Sequence, residues 1–461
     1  MFIDDILEFE GDSNILEYQY IYKNHNITIW PYFRSQLIFK LIEIEYGVSN
    51  ATSYSKNKHY YYDFIKYNPF RMKKNDILFI NPSSSIREEK SGELKNVLLG
   101  SFIEKSGTNV AECITRFTDI DYKRYKQVTY SVDEFITCLV SYEEKRNKLS
   151  MQNKQLVEKI INYLKKEFPY KIEEGVYVMI KRIIEWVIKS FPSYYKYYYK
   201  LLDIVQPKIV FLNCAMYGNP VVKVMNDYGI LTAEFQHGVI SKNHPGYSYS
   251  KKFVENEKCR SCMPKYFLSY HDYWTKNINI PSNIYKIGNP VVQKNIYAVK
   301  KYKQENNILI ITDYEPIYYE ELIYGLLECF SEEYKIVVKI HPSCPKHIEG
   351  YKKFFANKRV EIKLQGSIYK YIHQAKYIIG DGSTAMYEAA ALGKTIFVHD
   401  RKETHFFVPD DFGIWIKNAK EMKRYIQTNT NLNNETNVYF DLNWEKNYCT
   451  FLRDIVGIVV N

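Results

Sequence analysis

Two absences bear on where this chain resides. Its sequence contains no apolar run of eighteen residues, and its start, Met1-Phe2-Ile3-Asp4-Asp5, is not a basic region followed by an apolar one. The first absence predicts that no helix crosses a membrane, and the second predicts that there is no signal peptide. We therefore expect a cytoplasmic protein, and we leave open a peripheral position at the inner face of the membrane.

Paired cysteines are scarce. The chain has 8 cysteines, which are scattered, and a large cytosolic protein would keep them reduced. Cys259 and Cys262 have the spacing of metal ligands, but no second pair lies near them, although His244 and His271 could complete a site. We expect no metal and no cofactor, and we leave open whether Cys259 and Cys262 bind an ion.

A dense basic stripe is also missing. The formal net charge is +10, a mild excess over 461 residues. Proteins that bind nucleic acid usually concentrate their positive charge more strongly. The excess suits a smaller anionic partner, an acidic glycan or the inner surface of a membrane, so we expect no nucleic acid.

What the chain does contain is an alternation of apolar strands and amphipathic helices. A length of 461 residues is too large for one core, and strands that alternate with helices predict parallel sheets. We predict a first domain over 1–294, with an early helix from Ser35 to about Tyr46 and a helical insertion over 133–203. We predict a second domain over 295–430 and a C-terminal segment over 431–461 that crosses back to the first.

The most informative stretch runs from Ile378 to Lys394, where an apolar strand enters a small polar turn and a helix starts at once. Gly382 lets the backbone turn sharply, and Ser383 and Thr384 stand where an N-cap stands. Such a helix start is suited to bind a phosphate. Glu388 follows one turn later on the same helix face as Thr384, where its carboxylate could take both hydroxyls of a ribose. Phosphate and ribose together predict a nucleotide.

Two histidines follow apolar strands. His341 precedes Pro342, which cannot continue a strand ladder, so the imidazole is left at a carboxyl end, where open parallel sheets bind ligands. Far upstream, another buried-strand pattern ends in Gln236-His237-Gly238. If the two domains face each other, His237 could act as a general base opposite a phosphate site.

These motifs resemble those of bacterial GT-B sialyltransferases, polysialyltransferases and the related polyglycerol-phosphate polymerases. In those families the His-Pro motif and the hydroxyl pair hold the phosphate of a cytidine-activated donor, which implies this role for His341, Pro342, Ser383 and Thr384. The triplet Gln236-His237-Gly238 is similar to the His-Gly element of such polymerases and of capsule-type glycosyltransferases. There the His is the proposed base or an acceptor-site residue.

A second resemblance concerns other nucleotide-sugar enzymes. The stretch from Ser383 to Gly393, with Glu388, resembles the donor helix of retaining GT-B transferases and of UDP-GlcNAc 2-epimerases, and it favours UDP or GDP. Ile287-Gly288-Asn289-Pro290 is similar to the Gly-Asn element of those epimerases. Their His-Arg pair after the first strand of the second domain is absent, because Ile311-Thr312-Asp313-Tyr314-Glu315 stands there.

The resemblance covers roughly residues 207–400 and implies an α/β protein of GT-B architecture, with two Rossmann-like domains facing across a cleft and C-terminal crossover helices. It implies a metal-independent glycosyltransferase of capsule or lipopolysaccharide assembly, with a CMP-sugar donor slightly favoured and a glycan or glycolipid acceptor. Gln236, Gly238 and Tyr247 would lie on the acceptor side. Three alternatives stay open: a polyol-phosphate transferase on the same fold, a nucleotide-sugar 2-epimerase and a non-catalytic nucleotide-sugar-binding scaffold.

Overall fold

The computed structural model describes most of the chain. The described ranges are 2–46, 67–88, 92–115, 124–125, 129–132, 134–215, 220–297, 302–312, 314–342, 344–357, 359–428 and 438–460. Asp313 and residues 431–437 of the predicted C-terminal segment therefore lie outside the described residues.

The first domain is built on seven described strands, all of them parallel, in the order β11-β10-β9-β8-β3-β6-β7. Two antiparallel pairs, β1-β2 and β4-β5, lie outside this sheet. The strands are β1 (Gln19–Tyr22), β2 (His25–Thr28), β3 (Ile77–Pro82), β4 (Ile86–Glu88), β5 (Leu94–Asn96), β6 (Val110–Thr115), β7 (Thr129–Val132), β8 (Ile209–Leu212), β9 (Leu231–Phe235), β10 (Tyr266–Ser269) and β11 (Asn283–Lys286).

The second domain is a parallel sheet of six described strands in the order β14-β13-β12-β15-β16-β17. The strands are β12 (Asn307–Thr312), β13 (Lys335–Ile340), β14 (Val360–Lys363), β15 (Ala375–Gly380), β16 (Thr395–His399) and β17 (Ile414–Ile416). This is the doubly wound order: successive strands are added on one side of β12 as far as β14, and then the order reverses and strands are added on its other side from β15. Ligands of such sheets bind outside the carboxyl ends of the strands at that reversal.

Helices pack on both sheets and form a separate layer at the start of the chain. In the described ranges they are Phe2–Asp12, Pro31–Tyr46, Gly100–Lys105, Glu134–Arg146, Met151–Glu167, Glu174–Val205, Pro220–Tyr228, Lys251–Glu255, Glu257–Arg260, Pro290–Tyr297, Glu320–Cys329, Ile348–Phe354, Ile368–Gln374, Thr384–Ala391, Thr404–Phe407, Ala419–Thr428 and Trp444–Phe451. Not one of the helices in these ranges is both long and apolar enough to cross a bilayer.

The strands at the centre of both sheets are apolar on both faces, as parallel sheets covered by helices require. Every residue of β12 is buried, as are the first five residues of β3. Strands covered by helices on both sides read as such continuous apolar runs. The two sheets confirm the predicted α/β architecture of two Rossmann-like domains, and the insertion predicted over 133–203 contains three helices. The early helix begins at Pro31, four residues before the predicted start, because proline is well tolerated in the first turn.

The α-helix Trp444–Phe451, near the end of the described chain, packs against the first domain. The ring of Trp444 contacts that of Phe102 at 5.2 Å, and the hydroxyls of Tyr448 and Ser106 are 2.6 Å apart. Gly288 makes this crossing possible. Its φ is +88°, and a Cβ atom there would lie 2.4 Å from the carbonyl oxygen of Asp441.

The N-terminal helices are joined to a distant loop by a buried ion pair. The guanidinium of Arg34 contacts Glu10 at 2.6 Å, and both side chains are almost fully buried. The other carboxylate oxygen of Glu10 accepts a hydrogen bond from the backbone of Ser250 at 2.6 Å, and Arg34 donates to the carbonyls of Pro245 and Ser248. These bonds fix the loop between β9 and the helix Lys251–Glu255.

Candidate functional site

A cleft opens where loops of the two domains meet. Its cavity has a volume of about 220 Å³. The first domain contributes residues 240–243, just after His237, and a short segment after β10, whereas the second contributes His405 and residues 408–411. Across the same boundary, Lys276 forms an ion pair with Asp411 at 2.7 Å, and the ring of Trp274 packs on Tyr387 at 4.5 Å.

On the second-domain side, the turn after β15 starts a helix as the sequence predicts. Ser383 is the N-cap, and its hydroxyl oxygen accepts a hydrogen bond from the backbone N–H of Ala385 at 3.3 Å. Thr384 is not part of the cap, because it is already the first helical residue. Gly382 has a φ of +151°, which a residue with a side chain rarely adopts. The helix start therefore leaves a hydroxyl donor and backbone amides at the strand end.

Arg401 reaches the same strand end, and sequence reasoning missed it. Its Nη1 atom is buried, lies 3.7 Å from Asp381 Oδ2, too far for a hydrogen bond, and has no hydrogen-bond partner among the described residues. The guanidinium is held over the rings of Tyr314 and Tyr318, at 4.9 and 4.3 Å. An arginine two residues beyond β16 was the available signal. The half-buried guanidinium also forms an ion pair with Glu403 through Nη2 at 3.3 Å, so the unbonded Nη1 is the donor suited to bind an anion.

His341 follows β13, which ends at Ile340 as Pro342 predicts. Its backbone N–H donates to the carbonyl of Thr312 at 2.8 Å, and its side chain is exposed. Because β12 lies between β13 and β15, the strands that His341 and Ser383 follow are two strand spacings apart, or about 10 Å. The two residues could contact different parts of one nucleotide more easily than the same oxygen atom.

Glu388 points into the region between the domains. It accepts a hydrogen bond from the hydroxyl of Tyr369, and burial raises the pKa of its carboxyl. Its charge also raises the pKa of Tyr270, a residue of the first domain that is itself buried. The predicted contact of Glu388 with ribose stays a prediction.

In the triplet Gln236-His237-Gly238 after β9, Gln236 holds the turn and His237 has a side chain suited to chemistry. The Gln236 side chain donates to the carbonyl of Gly238 at 2.9 Å and accepts from the backbone of Tyr270 at 2.9 Å, so it holds the turn together. Burial lowers the pKa of His237 to about 4, so its imidazole is neutral at pH 7. Nδ1 of His237 is buried and has no hydrogen-bond partner in the part of the chain that the structure describes.

Beside His237 lies Glu234, which sequence reasoning also missed. Its carboxylate oxygen Oε1 accepts hydrogen bonds from the backbone of Ala215 at 3.1 Å and from the hydroxyl of Tyr247 at 2.8 Å. Burial raises its pKa to about 7 although both hydrogen bonds lower it. The signal was a carboxylate inside an apolar strand. Tyr247 itself is buried, and its predicted place on the acceptor side stays a prediction.

The cysteine pair with metal-ligand spacing lies in the first domain's apolar core. Cys259 and Cys262 are both buried, and the Sγ atom of Cys262 donates to the carbonyl of Lys258 at 3.5 Å. Burial raises the pKa of both thiols. A buried, protonated thiol is a poor metal ligand.

No protein-family model matches the chain, and no curated protein matches it. Among solved structures, it is similar to UDP-GlcNAc 2-epimerase from Methanocaldococcus jannaschii, with 14% identity, a TM-score of 0.46 and coverage of 83% of this chain and 100% of the other. It is similar to Staphylococcus aureus MnaA with UDP, with 10% identity, a TM-score of 0.48 and coverage of 84% of this chain and 98% of the other. It is also similar to Anabaena HepE in complex with UDP-glucose, with 10% identity, a TM-score of 0.40 and coverage of 82% of this chain and 99% of the other. These figures assign no activity to the chain.

Proposed function

We propose that this chain is a glycosyltransferase that moves a sugar from a nucleotide-activated donor to a glycan or glycolipid in capsule or lipopolysaccharide assembly. The observation that carries the proposal is the group of anion-binding donors at the carboxyl end of β15, beside the reversal of strand order. Gly382, Ser383 and Arg401 supply it. This is where doubly wound sheets bind nucleotides.

The donor phosphate would be bound without a divalent metal. Arg401 offers a fixed positive charge, the helix start at Thr384 offers amides and a partial positive charge, and His341 offers a further donor. These groups would stabilise the negative charge that develops on the leaving phosphate. The base of the donor follows only from the family resemblance, which slightly favours a CMP-sugar.

The acceptor would be held on the first-domain wall. His237 would orient the acceptor hydroxyl or take its proton while the acceptor oxygen bonds to the anomeric carbon. The bond from that carbon to the donor phosphate would break, and its electron pair would stay on the phosphate. A pKa of about 4 makes His237 a weak base at pH 7, whereas Glu234, with a pKa of about 7, is better matched to proton transfer.

A nucleotide-sugar 2-epimerase is the second candidate. It is favoured by Gly288 and Asn289 at the domain junction, where Asn289 caps the helix Pro290–Tyr297 and its backbone N–H donates to the carbonyl of Asp441. A polyol-phosphate transferase would use the same phosphate donors, and a scaffold would bind the nucleotide without turnover. An epimerase would convert the donor with no acceptor present, whereas a transferase would show only slow hydrolysis.

The test is a binding panel with CMP, CDP, UDP and GDP, with and without EDTA. We would measure thermal shifts and calorimetric affinities for the wild type, His341→Ala and Arg401→Met, with the exposed Arg424→Met as the matched control. We expect one nucleotide to stabilise the wild type whether or not EDTA is present. Arg401→Met should weaken that nucleotide about tenfold or more, because a charge-assisted bond contributes about 1.5–3 kcal/mol. No shift with any nucleotide would overturn the proposal.

Contact with a membrane surface is a separate part of the proposal. The helix Glu174–Val205 presents an outer groove with a volume of about 300 Å³ that includes the exposed Arg182. The groove is lined by Gly175, Val178, Met179, Arg182, Ile183 and Trp186. Apolar and aromatic side chains beside basic ones are typical of interfacial helices. An anionic bilayer matches both features.

A further inference from the structure

Three side chains of different ligand type meet at the carboxyl ends of β8 and β9. Cys214 lies two residues beyond β8, Glu234 is the fourth residue of β9, and His237 lies two residues beyond it. The Cys214 Sγ atom, a Glu234 carboxylate oxygen and a His237 ring nitrogen all lie within 4.8 Å of one another. They form the one such group of potential metal ligands found in the described residues.

Two further observations favour a ligand here over simple packing. His237 Nδ1 is buried and has no hydrogen-bond partner among the described residues, and burying a polar atom without a partner is unfavourable. Glu234 is held by Tyr247 and the backbone of Ala215, which both bond to Oε1. Bonds of this kind around a carboxylate are what orients a metal ligand.

We infer that Cys214, Glu234 and His237 bind a zinc ion. Thiolate, imidazole and carboxylate are the three ligand types that zinc accepts, and three protein ligands with one open position are typical of a reactive zinc site. With bonds of about 2.0–2.3 Å, tetrahedral ligand atoms lie about 3.5 Å apart. The three side chains must therefore close by about 1 Å around the ion.

The inference stands apart from the donor site, because it concerns the first domain alone. The ion does not replace Arg401 or the helix start at Ser383 as the phosphate-binding group. In the metal-loaded protein, His237 and Glu234 would hold the ion, whose open position would bind and polarise the acceptor hydroxyl, and neither side chain would then take its proton. Binding of zinc needs no nucleotide, so the inference and the proposed function can fail independently.

The test replaces zinc with cobalt, whose spectrum reports its ligands. The full-length wild type is stripped with a strong chelator and titrated with Co²⁺. We expect one equivalent to bind with a thiolate-to-cobalt charge-transfer band, which Zn²⁺ then displaces. The band should disappear in Cys214→Ser and persist in Cys329→Ser, a half-buried cysteine of the second domain.

A second variant keeps the test decisive if Cys214→Ser fails to fold. Tyr247→Phe retains all three ligands and removes one bond to Glu234, so it should weaken zinc about tenfold or more. Three results would overturn the inference: a wild type without a charge-transfer band, a band unchanged in folded Cys214→Ser, or a band lost only when Cys259 and Cys262 are replaced. The nucleotide panel in EDTA is unaffected by any of these results.

Discussion

At the scale of single residues, burial sets the protonation of the ionisable groups at the strand ends. His399 is the last residue of β16 and is buried, with its ring 5.3 Å from that of Tyr319. Burial, and then the positive charge of Arg401, lower its pKa to about 4. The imidazole of His399 therefore stays neutral beside Arg401 in mild acid.

Acidification should therefore destabilise the protein through His399. Between the ordinary pKa of 6.5 and the folded value of about 4, the unfolded chain binds a proton that the folded chain does not, so stability is present above pH 6.5 and lost as pH falls. Relative to that of His399→Gln, the free energy of unfolding of the wild type should fall by about 1 kcal/mol between pH 7.5 and 5.5. Urea unfolding of both proteins at the two pH values measures this.

His405→Gln is the comparison with the opposite sign. Although partial burial lowers it, hydrogen bonds to Asp400 and Asp410 raise the pKa of His405 overall. Its contribution is then present at low pH and lost as pH rises through the raised pKa. As the pH falls, the free energy of unfolding of the wild type should therefore rise relative to that of His405→Gln. The same slope for both variants would contradict the assignment.

The sequence predicted candidate site residues where a strand end coincided with a motif, and it missed those elsewhere. His341 and Ser383 follow apolar strands in the sequence, so their positions could be inferred from the pattern. Arg401 and Glu234 gain their properties from tertiary burial, which raises the pKa of Glu234 and leaves Nη1 of Arg401 unbonded. No local pattern encodes the side chains that surround them.

At the scale of elements, the C-terminal crossing depends on one close approach. The backbone of Asn289 donates to the carbonyl of Asp441 at 3.2 Å, directly after Gly288. Trp444 Nε1 donates to Gln293 Oε1 at 2.8 Å, which joins the returning helix to Pro290–Tyr297. The junction is thus an ordered contact between two helices, and the boundary predicted at 294–295 falls inside the first of them.

Gly288→Ala should separate these elements. The substitution places a Cβ atom 2.4 Å from Asp441 O at a φ of +88°. The control is Gly229→Ala, whose φ is also positive, +91°, but which has no atom within 4 Å of its Cβ position. Gly229→Ala should lower the free energy of unfolding by about 1–2 kcal/mol, and Gly288→Ala should lower it by about 1–3 kcal/mol more. Equal losses in chemical denaturation would show that the crossing can move aside.

Strand positions could be predicted from apolar runs to within about two residues, because a strand covered on both faces is apolar throughout. Apolar runs predicted strands that end near Gln236 and just before His341, and β9 and β13 end at Phe235 and Ile340. The network of Glu10, Arg34 and Ser250 could not be predicted, because its partners are 24 and 240 residues apart and no periodicity relates them.

At the scale of the whole molecule, one outer face combines apolar and basic groups. Trp186 and Val178 are 37% and 42% exposed, although both are apolar and lie on a single helix. Arg182 lies between them, and the chain carries a net charge of +10. Exposed apolar surface of this kind usually marks an interaction site.

Vesicle binding should follow from that face. The wild type should sediment with phosphatidylglycerol vesicles and much less with phosphatidylcholine, and added salt should weaken the binding because the attraction is partly electrostatic. Trp186→Ala should reduce binding about tenfold, since burying such a ring contributes about 1.5–3 kcal/mol. Tyr324→Ala, an exposed aromatic of the second domain, is the control. Equal binding by Trp186→Ala and Tyr324→Ala would contradict the assignment.

The network of Glu10, Arg34 and Ser250 has a consequence for the order in which the chain folds during synthesis. Glu10 bonds to the backbone of Ser250, which leaves the ribosome 240 residues later. At about 5–20 residues per second, that interval is roughly 10–50 s. During this time Glu10 can already pair with Arg34, which follows it by 24 residues, but its second carboxylate oxygen still lacks the backbone N–H of Ser250. The buried network is therefore complete only after the middle of the chain has been made.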